Sequence, residues 1–198
     1  MPALTNLADD DLLRLTQAGN EQAFTTLYQR RQGAVYRFAL QMSGNISTAE
    51  EVTQEVFLSL LRVQGAYDGK RGPLVSYLYG TARHLVWRRM AQNRSHVSLT
   101  AEEGEDQVTP GYLISHSEIE SDLARDEIRR SLRRAILALP AGYREAVVLC
   151  DLHELSYQDA AIVLGCAVGT VRSRLHRARA LLSEKLAPTR FRSNRCLV

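Results

Sequence analysis

The chain has 198 residues, with ordinary proportions of apolar and charged side chains, which is enough for one folded domain or two small ones. Its formal net charge of +3 is only mildly basic, so any nucleic-acid surface must come from local clustering of cations. No apolar run is long enough to span a bilayer, and acidic residues stand where a secretory signal would carry positive charge. We therefore expect no membrane insertion and a cytoplasmic location.

The cysteines Cys150, Cys166 and Cys196 are widely spaced and form no CxxC pair. The first two lie in apolar helical contexts, where a free thiol packs like a small hydrophobic side chain. A zinc site made of Cys150, His153 and Cys166 is the alternative, but no fourth ligand is evident. We expect no metal site and no other cofactor.

Apolar side chains recur at helical spacing through the first part of the chain, and no strand pattern persists anywhere. A first helix opens on the aspartates at positions 9–11, where negative charge meets the positive end of the helix dipole, and it ends at Gly19. A second begins at Glu21. A third is expected to be capped by Ser47, with Glu50 three residues later in a capping box. The pattern predicts an all-α protein.

The third helix, residues 48–61, carries an apolar face and an opposite acidic and amide-bearing face. The members of this acidic face are Glu50, Glu51, Gln54 and Glu55. Paired carboxylates on a helix can indicate metal or acid–base chemistry, but no histidine or second carboxylate helix stands at a matching position. From the residues alone, a solvated face with no partner is the simpler interpretation.

A glycine-rich loop at residues 64–73 leads into a fourth helix, residues 74–90, with interleaved aromatic and basic side chains. The loop is not a P-loop, because Arg71 stands where a serine or threonine is required and no strand precedes it. Aromatic rings can stack on unpaired bases while cations contact phosphates, so the cluster predicts a nucleic-acid surface. The alternative is that Tyr79 and Trp87 are core aromatics. The candidate contacts are Tyr67, Lys70, Arg71, Tyr77, Arg83, His84, Arg88 and Arg89.

The composition changes near residue 92, where serine, threonine, glycine, proline and an acidic run replace the helical period. This change predicts a flexible linker between two small helical domains. We expect the first domain at residues 8–92, the linker at 93–119, the second domain at 120–187 and a frayed tail at 188–198.

Residues 152–179 have the pattern of a helix-turn-helix. Ser156 is positioned to cap the first short helix, and Gly165 stands at the turn, where the backbone often needs positive φ. The second helix has an apolar stripe and a basic face that can enter a major groove and offer arginine to guanine edges. The alternative is an ordinary solvated basic face. The candidate DNA contacts are Thr170, Arg172, Ser173, His176, Arg177 and Arg179.

Four segments, in this order, resemble an RNA polymerase sigma factor of the extracytoplasmic-function (ECF) group. They are AEEVTQEVFLSLLR at 49–62, YLYGTARHLVWRRM at 77–90, LPAGYREAVVL at 139–149 and LSYQDAAIVLGCAVGTVRSRLHRAR at 155–179. Together with residues 24–40 they cover most of the chain outside the linker and tails, and the last segment is the most specific. The resemblance implies a sigma region 2 helical bundle for the first domain and a region 4 helix-turn-helix for the second.

The resemblance also implies partners and roles. Core RNA polymerase would bind through its β′ coiled coil and β flap, and the acidic face of the third helix matches the segment that docks on the coiled coil. The loop at residues 66–73 matches one that captures a flipped base of the promoter minus-ten element, and the aromatic–basic cluster would hold that element. The basic face of the helix-turn-helix would read the minus-thirty-five element.

Two positions depart from the family pattern. Thr48 and His84 stand where the family usually has aspartate and asparagine. We expect the first to weaken polymerase docking and the second to alter minus-ten preference.

The implied function is promoter-specific transcription initiation without covalent chemistry, so no catalytic residue is expected, and control by an anti-sigma factor is implied as well. A helix-turn-helix regulator that binds duplex DNA without polymerase is an alternative that leaves the acidic helix unexplained. A small all-α enzyme is a weaker one, because the histidines and carboxylates show no nucleophile–base or metal spacing.

Overall fold

The computed structural model describes residues 4–62, 67–97 and 119–193, and these residues form helices and turns with no β-strand. The helices are α1 (Asp9–Gln17), α2 (Glu21–Ser43), α3 (Ile46–Arg62), α4 (Leu74–Val97), α5 (Ile119–Leu137), α6 (Ala141–Val147), α7 (Tyr157–Leu164) and α8 (Val168–Ser193). Short 3-10 turns at Leu4–Asn6 and Gly69–Arg71 and a π-helical segment at Val148–Leu152 complete the described elements. The predicted all-α class is confirmed.

The first half of the chain is a bundle in which α2 packs against α1, α3 and α4. Its centre is made of fully buried apolar side chains, among them Leu12, Leu27, Phe38, Val52 and Leu78. Burying side chains of this size contributes roughly 1.5–3 kcal/mol each before the entropy of ordering the chain is subtracted. This core holds α3 and α4 side by side, so their outer faces form one surface.

Local capping chemistry sets the end of α2 and the start of α3. Gly44 ends α2 in the left-handed conformation, with φ 73°. The Oδ1 atom of Asn45 then accepts a hydrogen bond from the backbone amide of Thr48 at 2.8 Å. Because Asn45 takes the capping role, α3 begins earlier than predicted, and the expected Ser47–Glu50 capping box is wrong.

The second half contains the helix-turn-helix, formed by α7 and α8. The Ser156 hydroxyl accepts a hydrogen bond from the Asp159 amide at 3.0 Å, which confirms the predicted cap. Gly165 has a left-handed φ of 61°, as the turn requires. Buried Val171 and Leu175 hold α8 in place, so the opposite side of the helix stays exposed to solvent.

Two helices run past the predicted domain limits. α4 continues through residues 91–97, which contain no glycine or proline that would end a helix. α8 continues through residues 188–193, which were expected to belong to the tail. Residues 98–118 of the expected linker and residues 194–198, which include Cys196, lie outside the described residues. The domain limits otherwise stay a prediction. Within the described ranges, no helix is long and apolar enough to cross a membrane.

The two halves pack against each other, α7 on α4 and α5 on α2. A continuous apolar cluster crosses the junction, joining Leu78 of α4 with Val163 and others of α7. At another point of the junction, a Cβ on Gly44 would lie 2.9 Å from the Leu137 side chain. This packing brings the helix-turn-helix against the aromatic–basic cluster.

Candidate nucleic-acid and polymerase interfaces

The predicted duplex-reading face lies on α8 and is open to solvent. Its exposed members are Arg172, Ser173, His176, Arg177 and Arg179, with Thr170 half-buried at the start of the helix. The Arg172 guanidinium carbon lies 5.8 Å from the centre of the Tyr157 ring, a cation–π contact. Arg179 donates hydrogen bonds to both Asp151 oxygens, at 3.1 and 2.6 Å, and these bonds raise its pKa. These described contacts lie within the second half of the chain.

The second predicted DNA surface contains a cavity of about 430 Å³ where the loop before α4 meets that helix. Tyr67, Tyr77 and His84 line it, and the two tyrosine rings pack edge to face with centroids 5.7 Å apart. Burial raises the pKa of Tyr67 to about 12, and the 2.8 Å hydrogen bond that its hydroxyl donates to Asp10 contributes to the same shift. The Ser76 hydroxyl also belongs to this lining, is buried, and has no hydrogen-bond partner among the described residues. Three of the predicted contacts are therefore brought together around one aromatic cavity.

Two basic members of the cluster face α3 instead. Arg88 donates to Glu55 at 2.6 Å, and Arg89 donates to Glu55 at 3.1 Å and also to Glu51. Burial acts to raise the pKa of Glu55, but the hydrogen bonds from the two arginines outweigh it, and that pKa is lowered. Part of the predicted polymerase face therefore contacts part of the predicted minus-ten face.

The other two members of the acidic face lie beside α2 rather than α4. Glu50 and Gln54 line a polar cleft of about 740 Å³ between α3 and α2, together with Tyr28, Gln32 and Tyr36. The acidic face of α3 is thus divided between a cleft beside α2 and an ion-paired edge beside α4.

Arg83 and Trp87 both bind a carboxylate of the second half. The Arg83 Nε and the Trp87 Nε1 donate to the same Glu145 oxygen, at 2.6 and 2.7 Å. Glu145 is only 3% exposed, and a carboxylate so buried needs partners of this kind. The sequence prediction for Arg83 did not anticipate this partner. One signal was available, because Glu145 lies one helical turn before buried Leu149 and hence on the core face.

His153 makes a second bridge between the halves. The Tyr79 hydroxyl donates to its Nδ1 at 2.8 Å, and its Nε2–H donates to the Gln41 side-chain oxygen at 2.9 Å, if the ring carries its proton on Nε2. Burial lowers the pKa of His153 to about 4, and the positive charge of Arg37 contributes to the same shift. In the described part of the chain, no group of three or more metal-ligating side chains is gathered, at Cys150 and Cys166 or elsewhere.

The remaining predicted contacts lie on the 3-10 turn before α4. Lys70 is exposed, and its backbone amide donates to the Asp68 carboxylate at 3.0 Å. The side chain of Arg71 lies outside the described part of the structure.

Comparison with known proteins identifies the family. Sigma-70 region 2 matches residues 27–96, and Sigma-70, region 4 matches residues 129–182. The chain is 33% identical over 190 residues to the RNA polymerase sigma-H factor of Pseudomonas aeruginosa, covering 93% of this chain and 97% of that protein. It is 32% identical over 190 residues to the ECF RNA polymerase sigma-E factor of Escherichia coli K12, and the match covers 92% of this chain and 96% of that protein. The chain belongs to the ECF group of RNA polymerase sigma factors.

Two solved structures share the fold of this ECF sigma factor. RpoE of Bartonella quintana, solved with the anti-sigma factor NepR, is 25% identical with a TM-score of 0.63, covering 83% of this chain and 96% of that one. CnrH, solved with the cytosolic domain of CnrY, is 24% identical with a TM-score of 0.66, covering 92% and 99%. The resemblance drawn from the sequence motifs is confirmed, and the function is that of an RNA polymerase sigma factor.

Proposed function

We propose that this sigma factor docks on core RNA polymerase through α3 and reads two promoter elements with two separate faces. The observation that carries the proposal is that one chain combines an exposed arginine face on a helix-turn-helix with a tyrosine-lined cavity beside further arginines. The first suits the major groove of duplex DNA, and the second suits an unpaired base. The protein performs no covalent chemistry of its own.

The minus-ten element would enter the cavity with one base flipped out of the stack. Stacking on Tyr67 or Tyr77 would offset the few kcal/mol that flipping costs. Ser76 would offer its unpartnered hydroxyl to a polar edge of that base, and His84 lies exposed on the same lining. The surrounding cations would contact phosphates on either side; they are Lys70, Arg71, Arg83, Arg88 and Arg89.

The minus-thirty-five element would lie along α8. Arg172 and His176 are four residues apart, so they share one side of the helix and can address neighbouring base pairs. Arg177 and Arg179 would add contacts to bases or phosphates, while Thr170 and Ser173 offer hydroxyls near the start of the helix.

Polymerase docking would use the acidic face of α3, with Glu50, Glu51, Gln54 and Glu55 against basic residues of the β′ coiled coil. The second half would contact the β flap. The protein would work in the cytoplasm beside polymerase. An anti-sigma factor is a further proposed partner, because the similar RpoE of Bartonella quintana was solved with one.

Run-off transcription with purified core polymerase and a pool of promoter fragments tests this proposal. Glu51→Lys and Arg172→Ala are each expected to reduce promoter-dependent transcripts by about tenfold or more, because each removes a proposed contact worth roughly 1–3 kcal/mol. Glu127→Lys and Arg130→Ala make the same charge changes on the exposed side of α5 and should leave transcription at the wild-type level. Duplex binding without polymerase association or transcripts would favour a simple regulator instead.

A further inference from the structure

Two arginines of the α8 face are held by side chains that precede α8 in the chain. Arg172 lies against the ring of Tyr157, with its guanidinium carbon 5.8 Å from the ring centre. Arg179 donates to both oxygens of Asp151, at 3.1 and 2.6 Å. Arg177 is exposed as well, but it has no such contact among the residues that the structure describes. The α8 face therefore combines two restrained arginines with an unrestrained one.

Tyr157 is placed against α8 by a regular helix. It is the first residue of α7, and the hydrogen bond from the Asp159 amide to the Ser156 hydroxyl fixes the start of that helix. Tyr157 is 38% exposed, so it is not a core side chain. A cation–π contact uses no N–H group on an oxygen, and within the described ranges Arg172 forms no side-chain hydrogen bond. The ring thus restricts where Arg172 points and leaves its donors for DNA.

Asp151 holds Arg179 by one edge of the guanidinium. The Nε and one Nη nitrogen donate to the carboxylate, which leaves the other three of the five N–H groups. The Arg179 side chain is 57% exposed, so this outer end reaches solvent and can make a bidentate contact to guanine. Asp151 itself belongs to the π-helical segment, which is closed by a 3.0 Å hydrogen bond from the His153 amide to the Val148 carbonyl.

Restraint of this kind affects how well the α8 face distinguishes one duplex from another. Arg172 and Arg179 are seven residues apart, about two helical turns, so both lie along one side of α8. An unrestrained arginine loses rotamer freedom when it binds a base edge, and it can also follow any nearby phosphate. A restrained arginine has lost part of that freedom before DNA arrives, so its contact with the matching base is more favourable. The Asp151 carboxylate also repels phosphates, which weakens binding to other duplexes.

We propose that Tyr157 and Asp151 are positioning residues that set the selectivity of the α8 face. Tyr157 orients Arg172 toward one base pair of the duplex, and Asp151 orients Arg179 toward another. Neither positioning residue needs to contact DNA itself. The proposal rests on the proposed function, since it takes the α8 face to read the minus-thirty-five element.

The first test measures base preference with the full-length protein assembled on core polymerase. The complex retains fragments from a pool of random-sequence duplex DNA, and sequencing of these fragments gives the preferred base at each position. Tyr157→Leu should lose the preference that Arg172→Ala also loses, and Asp151→Ala should lose the one that Arg179→Ala loses. Tyr157→Phe keeps the ring and should keep the preference. A loss as large in Tyr157→Phe as in Tyr157→Leu would overturn the proposal, because the hydroxyl would then contact DNA directly.

The second test compares the affinity of the same complex for a retained duplex and for a scrambled version of it, by fluorescence anisotropy. The ratio of the two dissociation constants should fall about two- to tenfold in Tyr157→Leu and in Asp151→Ala, because each variant returns rotamer freedom to one arginine. Glu184→Ala removes one negative charge from an exposed site of α8 and should leave the ratio unchanged. Circular dichroism checks that helix content is kept, and Tyr157→Gln and Asp151→Ser serve if either variant loses it.

A double-mutant cycle separates positioning from a merely structural role. In the Arg172→Ala background, Tyr157→Leu should not lower the ratio further, because a positioning residue acts only through its partner. A further loss in that background, or an unchanged ratio in both Tyr157→Leu and Asp151→Ala, would overturn the proposal. If Arg172→Ala alone lowers the ratio, the α8 face still reads duplex DNA and the proposed function stands. If no arginine variant changes duplex binding, the proposed minus-thirty-five role fails first.

Discussion

The two proposed DNA-binding faces of this sigma factor differ in where their side chains find partners. The α8 face is supported from within its own half, by buried Val171 and Leu175 beneath it and by the Asp151 contact to Arg179. The α4 surface draws its partners from α3 and from the second half. A duplex-reading helix needs only an exposed polar face. The α4 surface instead carries aromatic rings and a cavity, and Ile162 and Val163 of α7 form part of the wall of that cavity.

The largest effect we expect comes from the junction between the two halves. Phe38 is fully buried, and its ring centre lies 5.2 Å from that of Tyr79 and 5.9 Å from that of His153. Phe38→Ala should lower the free energy of unfolding by about 3–5 kcal/mol, because it leaves a cavity where both halves meet. Urea denaturation followed by circular dichroism measures this.

Phe24→Ala, at a half-buried site in the same helix, is the control and should cost clearly less. Equal losses in the two variants would mean that the junction adds nothing to the stability of the first half.

The α8 face should bind duplex DNA independently of the α4 surface. Arg172→Ala and Arg177→Ala should each weaken binding to a duplex minus-thirty-five fragment by about 1–3 kcal/mol if the side chain reaches a base edge. Single-strand binding should not change, because both side chains lie outside the α4 surface. Fluorescence anisotropy with the duplex and single-stranded probes measures both. An equal loss on single-stranded DNA would contradict the separation of the two faces.

Lowering the pH should weaken the packing of the second half on the first half through His153. Above its ordinary pKa of 6.5 this histidine is neutral in both folded and unfolded chains and adds no pH dependence. Between 6.5 and about 4 only the solvated form takes the proton, so this packing weakens as pH falls, by at most roughly 3 kcal/mol in total. Tyr79, Gln41 and Arg37 face the ring, and the positive charge of Arg37 opposes its protonation.

Trp87 is the single tryptophan and binds Glu145 across the junction, so acrylamide quenching of its fluorescence reports this packing. Quenching at pH values from about 7 to 5 measures the weakening, in a window above most carboxylate titrations. His153→Gln replaces the titrating ring with an amide, so its quenching should vary less with pH than that of the wild type. Identical pH profiles would assign the dependence to other groups.

Features that depend on neighbours in sequence could be predicted, and long-range partners could not. The Ser156 cap and the Gly165 turn follow from residues within a few positions and are confirmed. Glu145 and Arg83 lie 62 positions apart, so their ion pair depends on how the two halves pack. The family could be named from motif order. The roles of individual site residues stay predictions, since they concern partners that bind from outside.

The ion pairs between α3 and α4 should give the smallest effect and the sharpest comparison of the two surfaces. Each pair has one well-exposed member, since the Glu51 side chain that binds Arg89 is 52% exposed and the Arg88 side chain that binds Glu55 is 45% exposed. Losing either pair should therefore change stability by less than about 1 kcal/mol. Glu51→Gln should nevertheless strengthen single-strand binding about two- to threefold at low salt, because it removes one of the two carboxylates that bind Arg89 and leaves only Glu55. The gain should fade as salt is added, since these charges are solvent-exposed.

Glu50→Gln is the matched control, because it removes the same charge from the α3 side that faces the α2 cleft. If it strengthens single-strand binding as much as Glu51→Gln does, net charge rather than pairing is responsible. If only Glu51→Gln does so, the same carboxylate that restrains Arg89 is the one proposed to meet the β′ coiled coil. Polymerase docking would then loosen an α4 arginine at the step where promoter DNA arrives, which gives the ion pairs between α3 and α4 a role in initiation.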